Sequence, residues 1–251
     1  MSFMKCGLKK DPDDSRDVCL MPLHYEKVDL PKQFSLRDKI KNVFQQGNMN
    51  SCSANAVSKQ ISIAGKLDYD ISRLFIYYNS RLVENEYNKR CIRDEGCNLR
   101  NVMKALMKFN FLDERYYPYD EKNVNSQPAE EYYKIADSNE KYICQYKKII
   151  PDIYNMKYIL NVLKLPIVCG TGVYDSFDKC NGGDYTVPNI TPHDRLIGYH
   201  ATLIIGYTED KFEVLNSYGP FFGDRGYFYL TNEWVLDDSL CFDMWIIDLS
   251  N

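Results

Sequence analysis

The sequence lacks several features that would point to particular functions. No stretch approaches the roughly 18 consecutive apolar residues of a membrane-crossing helix, so no membrane partner is expected. The opening, MSFMKCGLKKDPDDSRDV, has no apolar core like that of an export signal. The expected setting is therefore the cytoplasm, or a virion if the source is viral. An excess of basic residues is also missing. With 31 Lys and Arg against 35 Asp and Glu, the formal charge is −4 and the pI is near 5.5. Phosphate binding needs a cationic face, so no nucleic-acid partner is expected. There is no Cys-x-x-Cys. The closest of the nine cysteines, Cys91 and Cys97, are six apart with no histidine nearby, so neither a metal nor an organic cofactor is expected. Without an export signal, most of these thiols are expected to be reduced. Histidine is scarce: His24, His193 and His200 are the only three.

The chain is otherwise of ordinary globular make-up, with 45% hydrophobic and 26% charged residues in 251. Residues 1–29 are polar and read as an extended N-terminal arm, and 30–251 as one domain. Helical spacing of Ala54, Val57, Ile61 and Ala64 predicts a helix from about 52 to 66, with Ser51 as its cap. Further helices are predicted near 72–86, 99–109 and 152–164, with a loop over 111–128. The last third changes character. Runs at 166–174, 200–207, 211–217, 226–231 and 242–249 read as strands. Segregation of helices and strands predicts an α+β fold, with a mainly helical lobe over about 30–140 and a mainly β lobe over about 141–251.

Three short segments carry candidate chemistry. In Gln46-Gly47-Asn48-Met49-Asn50-Ser51-Cys52, the cysteine opens a helix. Backbone N–H groups and the helix dipole there favour the thiolate, the nucleophilic form. The Cys52 N–H and the Gln46 side-chain amide can converge on a developing oxyanion. The second segment is Gly198-Tyr199-His200-Ala201, with the histidine read as opening an apolar strand. The third, Asn216-Ser217-Tyr218-Gly219, offers a side-chain oxygen to fix a histidine ring. Read one at a time, these are a core cysteine, a structural histidine and a turn asparagine. Their order and spacing change that reading. His200 lies 148 residues after Cys52 (200 − 52), within the range of about 130–150 known for papain-type enzymes, and Asn216, 16 later and 164 after Cys52 (216 − 52), lies slightly beyond it.

The chain resembles the papain family of cysteine peptidases from about Leu30 onward. The resemblance rests on QG-x4-C at 46–52, GCN at 96–98, YYPYD at 116–120, HA-x3-IGY at 200–207 and NS-x-G-x3-G-x-x-GYFY at 216–229. The QGNMNSCSANA form is most similar to divergent members from bacteria, archaea and large DNA viruses, and abundant Lys, Asn, Ile and Tyr suit an AT-rich genome. The resemblance implies a papain-like two-lobe fold, with an antiparallel, barrel-like β lobe and a cleft between the lobes. It also implies endopeptidase action on protein or peptide substrates through a thioester acyl-enzyme. Cys52 would be nucleophile, His200 general base and acid, Asn216 its orienter and Gln46 an oxyanion donor, with Cys52 and His200 resting as a thiolate–imidazolium pair. The departures are informative. Met49 stands where the family's first cysteine would pair with Cys97, so that disulfide cannot form. Tyr218 replaces the tryptophan that shields the Asn–His bond, and Leu99-Arg100 replace a glycine pair that admits substrate backbone. Residues 1–29 are expected to lie over the cleft as an autoinhibitory segment. Two alternatives stand beside this reading: a catalytically silent binding or structural protein of the same fold, and a Cys/His amidase or acyl transferase.

Overall fold

A computed structural model describes residues 5–20, 28–88, 91–138 and 143–250. Its centre is helix α1 (Cys52–Ala64), buried at every position from Cys52 to Ile61. A helix with Ser53, Asn55, Ser58, Lys59 and Gln60 can be enclosed only if those groups find partners. Ser58 donates to the Ile71 carbonyl at 2.7 Å, and Lys59 pairs with Asp70 at 2.6 Å. Gln60 Nε2 donates to the carbonyls of Pro166 at 2.9 Å and Trp245 at 2.8 Å, tying α1 to the sheet.

On one side of α1 lie α2 (Arg73–Asn88), α3 (Leu99–Phe109) and α4 (Glu130–Asp137). Helix α3 begins at the predicted residue because Asn98 Oδ1 accepts the Asn101 N–H at 2.8 Å, and it buries Leu99, Val102, Met103 and Leu106. On the other side is a mixed sheet. Strands β3 (Ile143–Ile149), β4 (Ile167–Tyr174), β5 (Leu196–Tyr207), β6 (Lys211–Leu215), β7 (Tyr227–Thr231) and β8 (Cys241–Ser250) pair antiparallel in the order β3-β8-β4-β5-β6-β7. Two two-residue strands come from the N-terminal part. Phe34–Ser35 pairs with the end of β5, and Cys19–Leu20 of the arm adds in parallel to the edge at β3.

Several sequence expectations shift. The helix expected at 152–164 is α5 (Ile153–Tyr158), running into a wider π turn at Ile159–Leu163 before Pro166. Ser51 occupies the position before α1 but makes no side-chain cap; its hydroxyl bonds Tyr119 Oη at 2.5 Å instead. Strand β5 starts at Leu196, so His200 does not open it but sits inside it, opposite Thr171 of β4. His24 and residues 1–4 of the arm lie outside the described residues. Among the described residues no helix is long and apolar enough to cross a membrane.

Candidate active site

The site forms where α1, β5 and the loop after β6 meet. Asn216 follows β6, and its N–H donates to the Gly226 carbonyl at 3.0 Å, which fixes the root of the following loop. Its Oδ1 lies 2.8 Å from His200 Nε2. A carbonyl oxygen can only accept, so this contact places a proton on Nε2 and leaves Nδ1 as the ring's second functional atom. His200 Nδ1 is buried without a hydrogen bond of normal geometry among the described residues, and the Lys5 backbone lies near enough to the ring to favour its charged form. The Tyr218 ring stacks on the imidazole, with centroids 4.5 Å apart and planes at 24°. Tyrosine thus covers the His200–Asn216 bond in the place of the family's tryptophan.

Cys52 begins α1 with its sulfur among backbone groups of Ala201, Gly7 and Ser53, each favouring the thiolate. Ala201 directly follows His200 in β5, so the sulfur lies against the strand that carries the imidazole. Gln46 reaches the same place on a pinned loop. The 44–46 segment pairs with 217–219: Gln46 N–H donates to the Ser217 carbonyl at 2.9 Å, and Gly219 N–H to the Phe44 carbonyl at 2.9 Å. Tyr119, from the YYPYD motif, donates to the Gln46 carbonyl at 2.9 Å. Ser217 Oγ donates to Gln46 Oε1 at 2.6 Å, which turns Nε2 toward the Met49 carbonyl at 2.9 Å and the Lys5 carbonyl at 3.4 Å. These contacts join His200 to Asn216 and place Lys5 against Gln46 and His200, and Gly7 against Cys52. The supporting roles of Ser217 and Tyr119 had no signal in spacing.

Lys5 belongs to the arm, which runs through this cleft. Gly7 accepts from the Cys97 N–H at 3.1 Å, Lys9 N–H donates to the Cys97 carbonyl at 3.3 Å, and Leu8 N–H donates to the Tyr199 carbonyl at 3.1 Å. The passage is tight. A Cβ on Gly7 would sit 2.2 Å from the Asn50 carbonyl oxygen, and one on Gly96 (φ +74°) only 1.7 Å from the Gly7 oxygen. The Leu8 side chain is buried beside Gly170 and Phe242. Arg100 anchors the arm beyond the cleft. Its N–H donates to Asp11 at 2.9 Å, its guanidinium bonds the Pro12 carbonyl, and it pairs with Asp17 at 2.5 Å. Leu99-Arg100 thus starts a helix that grips the arm, where the family's glycines would admit substrate.

Burial governs the electrostatics of the pair. Cys52 and His200 are both 0% exposed. Burial pushes the Cys52 thiol above its ordinary value. Burial also holds the His200 imidazole down to about 4, outweighing the Asn216 bond and the Lys5 backbone, which favour its charged form. Both shifts disfavour charge in the enclosed pair, the direction opposite to a resting thiolate–imidazolium pair.

All cysteines whose side chains are described are free thiols. Cys97 bonds Ser53 Oγ at 3.0 Å, next to the place where Met49 rules out a disulfide partner. Among the described residues no cluster of His, Cys, Asp or Glu could hold a metal ion, and His193 lies in an exposed loop.

Comparison with known proteins gives this arrangement its context. Residues 30–239 match the model of the papain family cysteine proteases. An uncharacterized peptidase C1-like protein of Acanthamoeba polyphaga mimivirus is 32% identical over 234 residues, covering 87% of this chain and 73% of that one. Xylellain, a cysteine protease from Xylella fastidiosa, superposes with a TM-score of 0.85 at 30% identity, covering 98% of this chain and 97% of xylellain. Procathepsin L 3 of Tenebrio molitor superposes at 0.70 with 15% identity, over 93% of this chain and 75% of that one, a likeness of fold. The chain belongs to the papain family of cysteine proteases.

Proposed function

We propose that this protein is a cysteine endopeptidase held latent by its own N-terminal arm. The carrying observation is the His200–Asn216 contact at 2.8 Å, with the Cys52 sulfur at the start of α1 set against the backbone of Ala201, the residue after His200. In this reading the arm leaves, water enters, and Cys52 transfers its proton to His200 Nδ1. The thiolate attacks the scissile carbonyl, and Gln46 Nε2 and the Cys52 N–H take the negative oxygen. His200 gives its proton to the departing amine, leaving a thioester on Cys52. A water deprotonated by His200 then attacks the thioester, and the thiolate departs as the acid is released. Asn216 keeps the imidazole in the tautomer and plane that both transfers need.

Latency follows from the same geometry. The Lys5 carbonyl occupies the Gln46 donor, Gly7 lies over the Cys52 sulfur, and burial disfavours charge on the enclosed pair. The test is labelling by an epoxysuccinyl thiol-protease inhibitor, mapped by peptide mass. The comparison is between full-length protein, Gly7→Val, and Gly7→Val carrying Cys52→Ala or His200→Ala. Labelling confined to Cys52, dependent on His200 and stronger in Gly7→Val is expected. Absence of labelling in folded Gly7→Val would favour a silent binding protein of this fold.

A further inference from the structure

The two oxyanion donors of the peptidase reading are the N–H of the Ser51–Cys52 peptide and the amide of Gln46, a loop residue, and one buried side chain reaches toward both. Asn55, on the first turn of α1, is 1% exposed. Its Oδ1 accepts a hydrogen bond from Arg73 Nη1 at 3.1 Å. A guanidinium can only donate, so this bond fixes which end of the Asn55 amide is oxygen. The Nδ2 end then faces Ser51, donating at 3.0 Å to its carbonyl and at 3.0 Å to its hydroxyl.

From Ser51 the bonds run on in one direction. Tyr119 gives its proton to the Gln46 carbonyl at 2.9 Å. At the 2.5 Å contact between Ser51 Oγ and Tyr119 Oη, the serine is therefore the donor. The chain is Arg73 to Asn55, Asn55 to Ser51, Ser51 to Tyr119 and Tyr119 to the Gln46 main chain. A cation at its origin polarises each later bond. Arg73 is held in turn: Nε and Nη2 bond Glu114 at 2.8 and 2.6 Å, and the guanidinium lies 4.0 Å from the Phe44 ring centroid and 3.8 Å from that of Tyr119. The second branch is shorter. The Ser51 carbonyl accepts from the Asn55 N–H at 3.0 Å as well as from Nδ2. A peptide is planar, so holding that oxygen also holds the Cys52 N–H on the other side of the same plane.

We propose that Asn55, oriented by Arg73, is a positioning residue for both oxyanion donors. It holds the Cys52 N–H through Ser51 and the Gln46 segment through Tyr119. The proposal rests on the peptidase reading and gives Asn55 no part in forming the thiolate.

The test uses that separation, because alkylation by iodoacetamide passes through no tetrahedral oxyanion. In full-length Gly7→Val protein, Asn55→Ala is expected to lower kcat about tenfold on a peptide substrate, with KM and the rate of Cys52 alkylation within about twofold of the parent. Tyr119→Phe keeps the ring beside Arg73 and cuts the Gln46 branch alone. It is expected to lower kcat about fivefold, the size of one hydrogen bond. With Gln46→Ala already present, Tyr119→Phe should cost less than about twofold, whereas Asn55→Ala should still lower kcat through Ser51. Unchanged kcat in either variant, an alkylation rate that falls in step with kcat, or a Tyr119→Phe loss undiminished by Gln46→Ala overturns the proposal. Should Asn55→Ala not fold, Asn55→Asp takes its place, since it keeps the acceptor for Arg73 and loses both donors. If Gly7→Val turns over no peptide, the peptidase reading falls and this proposal with it; turnover combined with any of the overturning results removes this proposal alone.

Discussion

Gly7 and Asn50 approach so closely that a single methyl on Gly7 would lie 2.2 Å from the Asn50 carbonyl oxygen and 2.5 Å from its Cβ. Asn50 cannot give way, because its N–H and side chain are bonded to Asp94 at 3.0 and 2.7 Å. The clash therefore falls on the arm. Gly7→Val is expected to displace residues 5–9 from the cleft while leaving the papain-like body folded. Overpacking of this kind costs roughly 1–3 kcal/mol, so alkylation of Cys52 by iodoacetamide should accelerate about tenfold or more. A variant with the parent's alkylation rate and melting temperature would show that the arm does not guard the thiol.

Arg100 gives a second handle, remote from the chemistry. Its guanidinium is 4% exposed against an Asp17 carboxylate 10% exposed. Removing one partner of such a pair leaves a charge poorly solvated, at a cost of about 3–5 kcal/mol when the charge stays enclosed. Here Asp17 can leave with the arm into water, so Arg100→Gly should release the arm rather than unfold the domain. Hydrogen exchange at Leu8, whose N–H is bonded to Tyr199, is the direct readout. Faster exchange at Leu8 with unchanged protection in α1 is expected. Equal loss of protection in both would make Arg100 a residue of global stability instead.

These two contacts show where sequence reasoning reached and where it stopped. Helix α3 was legible to the residue, because Asn98 caps it and Leu99, Val102, Met103 and Leu106 share one face. The His200–Asn216 pairing and the place of Cys52 at the start of α1 were legible because a cysteine, a histidine and an asparagine fall in that order and spacing. Strand β3, reading ICQYKKI, was missed, since its pattern lacks a sustained apolar run. His200 was placed at a strand's start because the exposed Leu196 and Ile197 ahead of it do not alternate as a half-buried strand would. The path of the arm was not legible in detail. It depends on Gly7, Leu8 and Asp11 meeting Cys97, Tyr199 and Arg100, contacts between residues about 90 to 190 apart in the chain whose matching is set by backbone shape, not residue type.

Gln46 is buried and held in one orientation. Ser217 fixes Oε1 at 2.6 Å, so the amide cannot rotate and Nε2 faces the cleft. In the Gly7→Val background, Gln46→Ala is expected to lower kcat about 100-fold, the loss seen when one oxyanion donor is removed, with a smaller change in KM. Gln46→Glu keeps an acceptor for Ser217 but loses the donor, so it should fall as far. Steady-state kinetics on one peptide substrate suffices. Variants within about threefold of the parent, far short of the loss of an oxyanion donor, would remove Gln46 from the mechanism.

The last expectation concerns protons. In the covered state burial holds His200 down to about 4 from an ordinary 6.5, so it accepts a proton only in acid well below neutrality. Burial raises the Cys52 thiol in the opposite direction. Both shifts disfavour charge, and both have enclosure as their first cause. Uncovering the cleft should therefore reverse both, raising the imidazole and lowering the thiol. Once each can charge beside the other, their attraction carries the imidazole past its ordinary value. The measurement is the pH titration of the His200 ring resonances by NMR in full-length protein and in Gly7→Val, with Cys52→Ala to isolate the effect of the thiolate. A midpoint near 4 in the parent is expected, rising in Gly7→Val and falling back when Cys52 is also removed. A midpoint that Gly7→Val leaves near 4 would assign the desolvation to the two lobes themselves, and the arm would then block access without controlling charge.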